Sequence, residues 1–225
     1  MPDQRRLPFP EDSVSYKLYM KDKGVKKSEE GEDEILLNSS VIKNANGSSY
    51  VEYNGAKVMV ACIGPKDLAK REDFSLSGLL KIELSFCAFA SRTTRRVPSR
   101  TTEDEKEQAQ IIEEALKSVI LLKRYPKSQI DMRVQVICEG LAETTTMAAI
   151  VTACGLAAAD AGLDMYGLVV GAATMGTFAS IMPELNQVTG ILSVAENIEE
   201  EMKAVNKRAQ ALYPAIMQHL KQKDV

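Results

Sequence analysis

Four arginines fall within nine residues, Arg92-Thr93-Thr94-Arg95-Arg96-Val97-Pro98-Ser99-Arg100, with hydroxyl side chains set between them. A guanidinium group is a permanently charged planar fork that grips phosphate oxygens, and neighbouring hydroxyls add donors. This stretch therefore has the chemistry to hold a nucleic-acid backbone without reading its bases. No aromatic residue interleaves, so stacking of unpaired bases on rings is not expected. The same four cations could instead pair with acidic groups of a neighbouring polypeptide, and residue types alone leave both uses open. The chain as a whole has the opposite character. Its 28 Lys and Arg are outnumbered by 31 Asp and Glu, for a net charge of −3. A free-standing nucleic-acid binder is usually basic. Any such contact here must come from the local cluster, which points to a binding surface shared with other chains.

The remaining candidates carry less chemistry. Thr144, Thr145 and Thr146 stand before an apolar, helix-favouring run, where hydroxyls could hold an anion but more commonly cap the helix. Cys62, Cys87, Cys138 and Cys154 each sit inside an apolar segment. None forms a C-x-x-C pair or lies near His219, the single histidine. They read as buried, reduced thiols, with no metal site and no cofactor. His219 has no partner evident in sequence and is expected at the surface. Lys123-Arg124 reads as a charge pair at a helix C-terminus. No apolar run approaches the ~20 residues needed to span a bilayer, and the first residues are polar and proline-bearing, without the apolar core of a signal peptide. No membrane association is expected.

The elements that must position these groups follow from periodicity. Residues 1–33 carry Pro2, Pro8, Pro10 and a KKSEEGEDE run, and read as a polar N-terminal arm. From residue 34 to 225 the pattern is that of one domain. EILLNSSVI, SSYVEY and AKVMVACIGP read as strands, the last two joined by Asn54-Gly55, a hairpin signal because both turn residues need positive φ. In LLKIELSF, Leu80, Ile82, Leu84 and Phe86 alternate with polar residues, the mark of a half-buried strand. A helix should begin near Thr102, with Glu105 completing a capping box, and stop before Pro126. Residues 129–138 alternate as a strand. TTTMAAIVTACGLAAADAG is apolar on nearly every side, hence a buried helix, ending at Gly162. Gly167–Met175 and Gln187–Val194 read as strands. A last helix should open at Ser193 with Glu196 as a second capping box, its Ile198, Met202, Val205, Ala209, Leu212 and Ile216 stripe facing the body and Pro214 kinking its end. The order β-β-β-β-α-β-α-β-β-α implies an α+β fold with helices packed on a mixed sheet.

Several stretches resemble RNase PH-type proteins. GSSYVEYNGAKVMVACIGP (47–65) is similar to their entry hairpin, ALKSVILLKRYPKSQIDMRVQVICEG (115–140) to their middle helix and following strand, and AAADAGLDMYGLVVG (157–171) to the end of their second helix. MPELNQVTGIL (182–192) is most similar to an inert branch of the family, a ring subunit of the eukaryotic RNA exosome of the mRNA-transport-regulator type. The resemblance covers residue 34 to the C-terminus. It implies a ribosomal protein S5 domain 2-like layered fold and a place in a hetero-hexameric ring of RNase PH-like subunits, threaded by single-stranded RNA and joined by cap subunits with RNA-binding domains. It also implies residence in nucleus, nucleolus and cytoplasm, and places Arg92, Arg95, Arg96 and Arg100 near the ring channel.

Active members of the family pair a glycine-rich phosphate loop at a helix N-terminus with two acidic residues in a later strand-turn segment. Here the loop reads Glu143-Thr144-Thr145-Thr146, without glycine, and β-branched residues resist positive-φ geometry and crowd an anion. Only GAATMGTFASI joins the counterparts of the acid-bearing strands, with no Asp or Glu. Across 143–185 the carboxylates are Glu143, Asp160, Asp164 and Glu184 alone, and Asp160 and Asp164 fall at the far end of the buried helix. The expectation is a non-catalytic structural subunit that supports 3′-to-5′ RNA processing and decay, with no catalytic residue of its own. The alternatives are an active phosphorolytic exoribonuclease, or an adaptor that binds proteins and never touches RNA.

Overall fold

The structure, a computed structural model, describes residues 34–67, 76–91, 102–195 and 197–223. The chain separates into two units, residues 1–32 and 33–225, and every described residue lies in the second. The N-terminal arm read from the sequence lies outside the described residues.

Strands β1 (Ile35–Ser39), β2 (Gly47–Tyr53), β3 (Ala56–Asp67), β4 (Leu79–Phe86) and β5 (Ser128–Cys138) form one sheet in the order β1-β2-β3-β5-β4. All neighbours are antiparallel except β4 and β5, which run parallel and are linked through helix α1 (Glu103–Lys117). Asn54 and Gly55 turn β2 into β3 with φ of 45° and 84°, the left-handed pair that the hairpin requires. The inward residues of β4, Leu80, Ile82, Leu84 and Phe86, are buried, as are Ile130, Met132, Val134 and Val136 of β5. The expected alternation therefore holds in both strands.

A second, three-stranded antiparallel sheet follows: β6 (Val170–Ala173), β7 (Thr177–Met182) and β8 (Gln187–Ser193). The five-stranded sheet is the mixed sheet expected from the sequence, whereas the sequence shows no strand at β7. The reason is visible in its burial, since all six residues of β7 are buried and no period-2 signal survives in a strand covered on both faces.

Helix α2 (Glu143–Asp160) lies between the two sheets and is buried from Thr144 to Ala158. It touches them almost backbone to backbone. A Cβ built on Gly47 of β2 would stand 2.3 Å from the Ala161 nitrogen, and one on Gly171 of β6 would stand 2.3 Å from the Ala148 oxygen. Hydroxyls stitch the same contacts: Ser49 Oγ donates to the Ala153 carbonyl at 2.7 Å, and Thr152 Oγ1 accepts from the Gly171 N–H at 2.9 Å. The helix closes in a Schellman motif, with Gly162 at φ 68° and bonds from Gly162 N–H to Ala159 O and Leu163 N–H to Ala158 O.

Helix α1 begins as expected. Thr102 Oγ1 accepts from the Glu105 N–H at 3.4 Å while the Glu105 carboxylate accepts from the Thr102 N–H at 3.1 Å. It ends at Lys117, well before Pro126, so Lys123 and Arg124 sit on a separate 3-10 turn, where Arg124 pairs with Asp164 at 3.1 Å. Helix α3 (Ile198–Lys223) starts later than the sequence suggested, because Ser193 is committed to β8, its hydroxyl 2.8 Å from that of Thr177. Glu196, the other half of the expected capping box, lies outside the described residues. Val205, Ala209, Leu212 and Ile216 are buried as the stripe requires, Ile198 is half exposed, and the helix runs through Pro214. Val205 and Ala209, with Met202 alongside, pack on Ala172, Ala179 and Ile181 of the second sheet. His219 is half-buried, with Nε2 3.3 Å from Ser39 Oγ, which ties α3 to β1 and corrects the expectation of a histidine without a partner. No helix among the described residues is long and apolar enough to cross a membrane.

Backbone contact this close has a measurable consequence. Gly47→Ala should destabilise by about 3 kcal/mol or more, at or beyond the usual range for overpacking, because the clash is with main chain that cannot rotate away. Gly55→Ala meets nothing within 4 Å and should cost only about 1–2 kcal/mol for its positive φ. Urea unfolding of both variants checks the order.

Candidate functional site

The carboxyl ends of the parallel strands β4 and β5 lie side by side, and each leads toward a helix N-terminus, α1 after β4 and α2 after β5. Ligands favour such a place, because strand ends converge and helix starts present N–H groups. A cleft of about 690 Å³ opens there. Its apolar lining includes Phe86, Ile111, Met147 and Leu192; Asp104, Glu107, Glu139 and Glu143 supply its charge. No lysine or arginine lines it among the described residues.

Arg92, Arg95, Arg96 and Arg100 lie outside the described residues. The residues flanking them do not. Ser91 lines the cleft, and Thr102 caps α1.

The three threonines neither cap α2 nor lie open. The N-cap is Ala142, in extended conformation and without a side-chain bond, so the threonines fall inside the first turn. All three are buried. Thr144 Oγ1 donates to the Thr174 carbonyl at 2.7 Å. Thr146 Oγ1 accepts from the Gly140 N–H at 3.0 Å and lies 3.3 Å from the Ala142 carbonyl. Thr145 packs its methyl against Gly140, where an added Cβ would come within 3.2 Å. The capping expectation fails by one step of register: the helix starts at Glu143, which turns the next three side chains inward. The outward residue there is Glu143, held by Gln108 at 2.5 Å.

Thr174 begins the turn between β6 and β7, a tight one with Thr174 N–H bonded to Thr177 O at 2.8 Å. It is pinned on its other side by α3, where Arg208 Nη1 donates to the Ala173 carbonyl at 2.7 Å and the Glu201 carboxylate accepts from the Thr174 hydroxyl. The segment that sequence reading left as a bare connection is thus a regular hairpin without Asp or Glu, docked onto the start of α2.

The other carboxylates of the region serve the scaffold. Asp160 accepts from the Ser48 N–H at 2.8 Å, the Ser40 hydroxyl at 2.9 Å and the Ser40 N–H at 3.2 Å, fastening the β1–β2 loop to the end of α2. Asp164 takes Arg124 and the Tyr125 hydroxyl, and Glu184 accepts from the Tyr213 hydroxyl. All four cysteines are free: Cys62 and Cys154 are buried, while Cys87 and Cys138 are half-buried. Among the described residues, no group of three or more His, Cys, Asp or Glu is placed to hold a metal ion. Sequence reasoning missed Asp104, Glu107, Leu141 and Val194 as cleft residues. They come from three separate segments, and no local pattern links them.

The profile of the 3′ exoribonuclease family, domain 1, the RNase PH type, matches residues 34–164, more than half of the chain. The chain belongs to that family. Over 97% of its length it is 29% identical to human exosome complex component MTR3, covering 94% of that protein, and it is 28% identical to the mouse protein of the same name. Against exosome complex component Rrp41 of Pyrobaculum aerophilum the identity is 32% over 68% of this chain and 61% of that protein. The alignment with human MTR3 runs to 261 positions, longer than the 225 residues of this chain, so it necessarily opens gaps in it. The crystal structure of rice (Oryza sativa) Rrp46 superposes with a TM-score of 0.64, covering 84% of this chain and 94% of that one at 17% identity, a likeness of fold.

Two outcomes follow from this geometry. Thr144→Val keeps the shape but strips the Thr174 carbonyl of its donor, and should cost about 1–3 kcal/mol in chemical denaturation. Burial raises the Cys62 thiol from 9.0 to about 11, and raises Cys154 as well. A folded-state pKa above the unfolded one means the native state holds its proton more tightly. The stability this contributes is complete below pH 9 and is lost as pH rises from 9 to about 11. The melting temperature should therefore fall across that window, and less steeply in Cys62→Ala after allowance for its lower starting stability.

Proposed function

We propose that this chain is a non-catalytic structural subunit of an exosome ring, supporting 3′-to-5′ RNA processing and decay and helping to line the RNA channel. One observation carries the reading. The start of α2, which in active relatives should cradle inorganic phosphate, is filled by Thr144, Thr145 and Thr146, two of them with hydroxyls already bonded within the protein. The docked β6–β7 hairpin offers no carboxylate in place of the acidic segment. Among the described residues the charged groups of the cleft are all acidic, which adds to the case, since an incoming phosphate would meet like charge from them.

The partners follow from the relatives. Near full-length similarity to MTR3, an exosome complex component, supports partnership with other exosome components. The proposed arrangement is a six-membered hetero-oligomeric ring of RNase PH-like subunits with RNA-binding cap subunits above it. The substrate that passes is single-stranded RNA, and residence in nucleus, nucleolus and cytoplasm goes with that machinery. No metal and no cofactor are needed for the role. Arg92, Arg95, Arg96 and Arg100 are the proposed RNA contacts, made through phosphates.

Reconstitution tests ring membership and RNA contact together. Co-expressed with the other ring subunits, the chain should enter one complex whose native mass includes a single copy of it. In that complex, changing the four arginines to Gln should weaken RNA binding about equally for all sequences. It should also flatten the salt dependence by up to ~0.7 in log–log slope for each single-strand phosphate that is no longer neutralised. Unaltered affinity and slope in an intact ring would take the chain off the RNA path and leave it an adaptor. Loss of assembly, with RNA affinity unchanged in what still forms, would make the arginines an inter-subunit clamp.

A further inference from the structure

β8 is an edge strand that lacks the usual protection. Among the described residues it pairs only with β7, and its sequence, QVTGILS, contains neither a charged residue nor proline. Natural edges are normally blunted by such residues, because a row of unpaired N–H and C=O groups is a template for another strand. Here Val188 and Ile191 stand about half exposed along that edge.

The end of β8 runs into a second exposed feature. Val194, which follows the strand, is 86% exposed; its N–H is bonded to Gly176 O at 2.9 Å, which brings it beside the hairpin tip where Met175 is 83% exposed. Val194 also lines the cleft together with Leu141, itself 74% exposed. Val194 and Leu141 at the cleft, with Met175 near Val194, are more than scattered surface leucines, and mark a contact surface. Across the cleft stand the exposed carboxylates Asp104, Glu107 and Glu143.

We propose that this surface receives an extended segment of another protein, carrying both apolar and basic residues on the face it turns to the cleft, which adds as a strand to the edge of β8. Main-chain hydrogen bonds to β8 supply affinity that does not depend on side chains. Residues of the added strand that face the cleft meet both kinds of group there, apolar ones reaching Val194 and Leu141 while lysines or arginines reach Asp104, Glu107 and Glu143. Among the described residues the charge here is negative, which favours a basic segment over the phosphates of RNA. The inference rests on the proposed ring role only for where the partner is sought, among the proteins that assemble with this chain.

The test uses the full chain in the reconstituted complex. Val188→Lys and Ile191→Lys place charge on the edge at half-exposed positions, and each should lower the yield of assembled complex at least tenfold. A photo-reactive amino acid at Val194, in an otherwise unaltered chain, should crosslink to a lysine- or arginine-bearing extended segment of one neighbouring protein. Asp104→Lys with Glu107→Lys should reduce that crosslink. Normal assembly of both β8 variants, or crosslinks from position 194 that map only to residues 92–101 of this chain or to RNA, would overturn the proposal. The unaltered chain separates the two readings: its own failure to assemble contradicts ring membership, whereas normal assembly of chain and variants alike contradicts strand addition alone.

Discussion

Everything in this domain depends on how closely α2 is gripped by the two sheets. A helix covered on both sides normally keeps neighbouring backbones about 10 Å away, the thickness of a layer of side chains. Gly47 from one sheet and Gly171 from the other remove that layer at two points, and the alanines of α2 complete the fit. Burial from Thr144 to Ala158 removes nearly every side chain of the helix from water, and the serine and threonine hydroxyls inside the sandwich are bonded to main-chain groups. Deleting large side chains from such a helix costs about 2–5 kcal/mol each, so its position is strongly determined.

That determination reaches the cleft. With α2 gripped on both sides, its first turn lies against the β6–β7 hairpin, and the Thr144–Thr174 bond joins helix start to hairpin tip. The hairpin is in turn fixed by Arg208 and Glu201 of α3. The first turn of α2 is thus packed with buried threonines, two of whose hydroxyls are bonded to the protein's own groups. Among the described residues the charge of the cleft is negative, from Asp104, Glu107, Glu139 and Glu143, and the exposed apolar Leu141 and Val194 stand beside it. On the reading proposed here, a place suited to chemistry has become one suited to packing and to protein contact.

Much of this was legible in the sequence where a pattern is local. Asn54-Gly55, the alternation in 80–86 and 130–136, the Thr102–Glu105 box and Gly162 each state their geometry within a few residues. β7 was not legible, because a strand buried on both faces has no alternation to detect. The role of the threonines was misjudged because capping depends on register, and only the packed helix shows that Ala142 rather than a threonine begins it. Lys123-Arg124 misled for the same reason: α1 ends at Lys117, and nothing nearby announces it. The cleft itself draws on residues 86 to 194, and three-dimensional proximity of that span leaves no local signature. The resemblance to RNase PH-type proteins, carried by four stretches in order, matched the family found by comparison.

The central claim is that the filled start of α2 leaves this protein without phosphorolytic activity. Incubating the purified chain, alone and in its reconstituted ring, with single-stranded RNA, inorganic phosphate and Mg²⁺ tests it directly. The account predicts no nucleoside diphosphate above a no-protein control in either preparation, given ring partners that are themselves inactive. Nucleoside diphosphate formed in proportion to this chain, in a preparation free of contaminating nuclease, would contradict it.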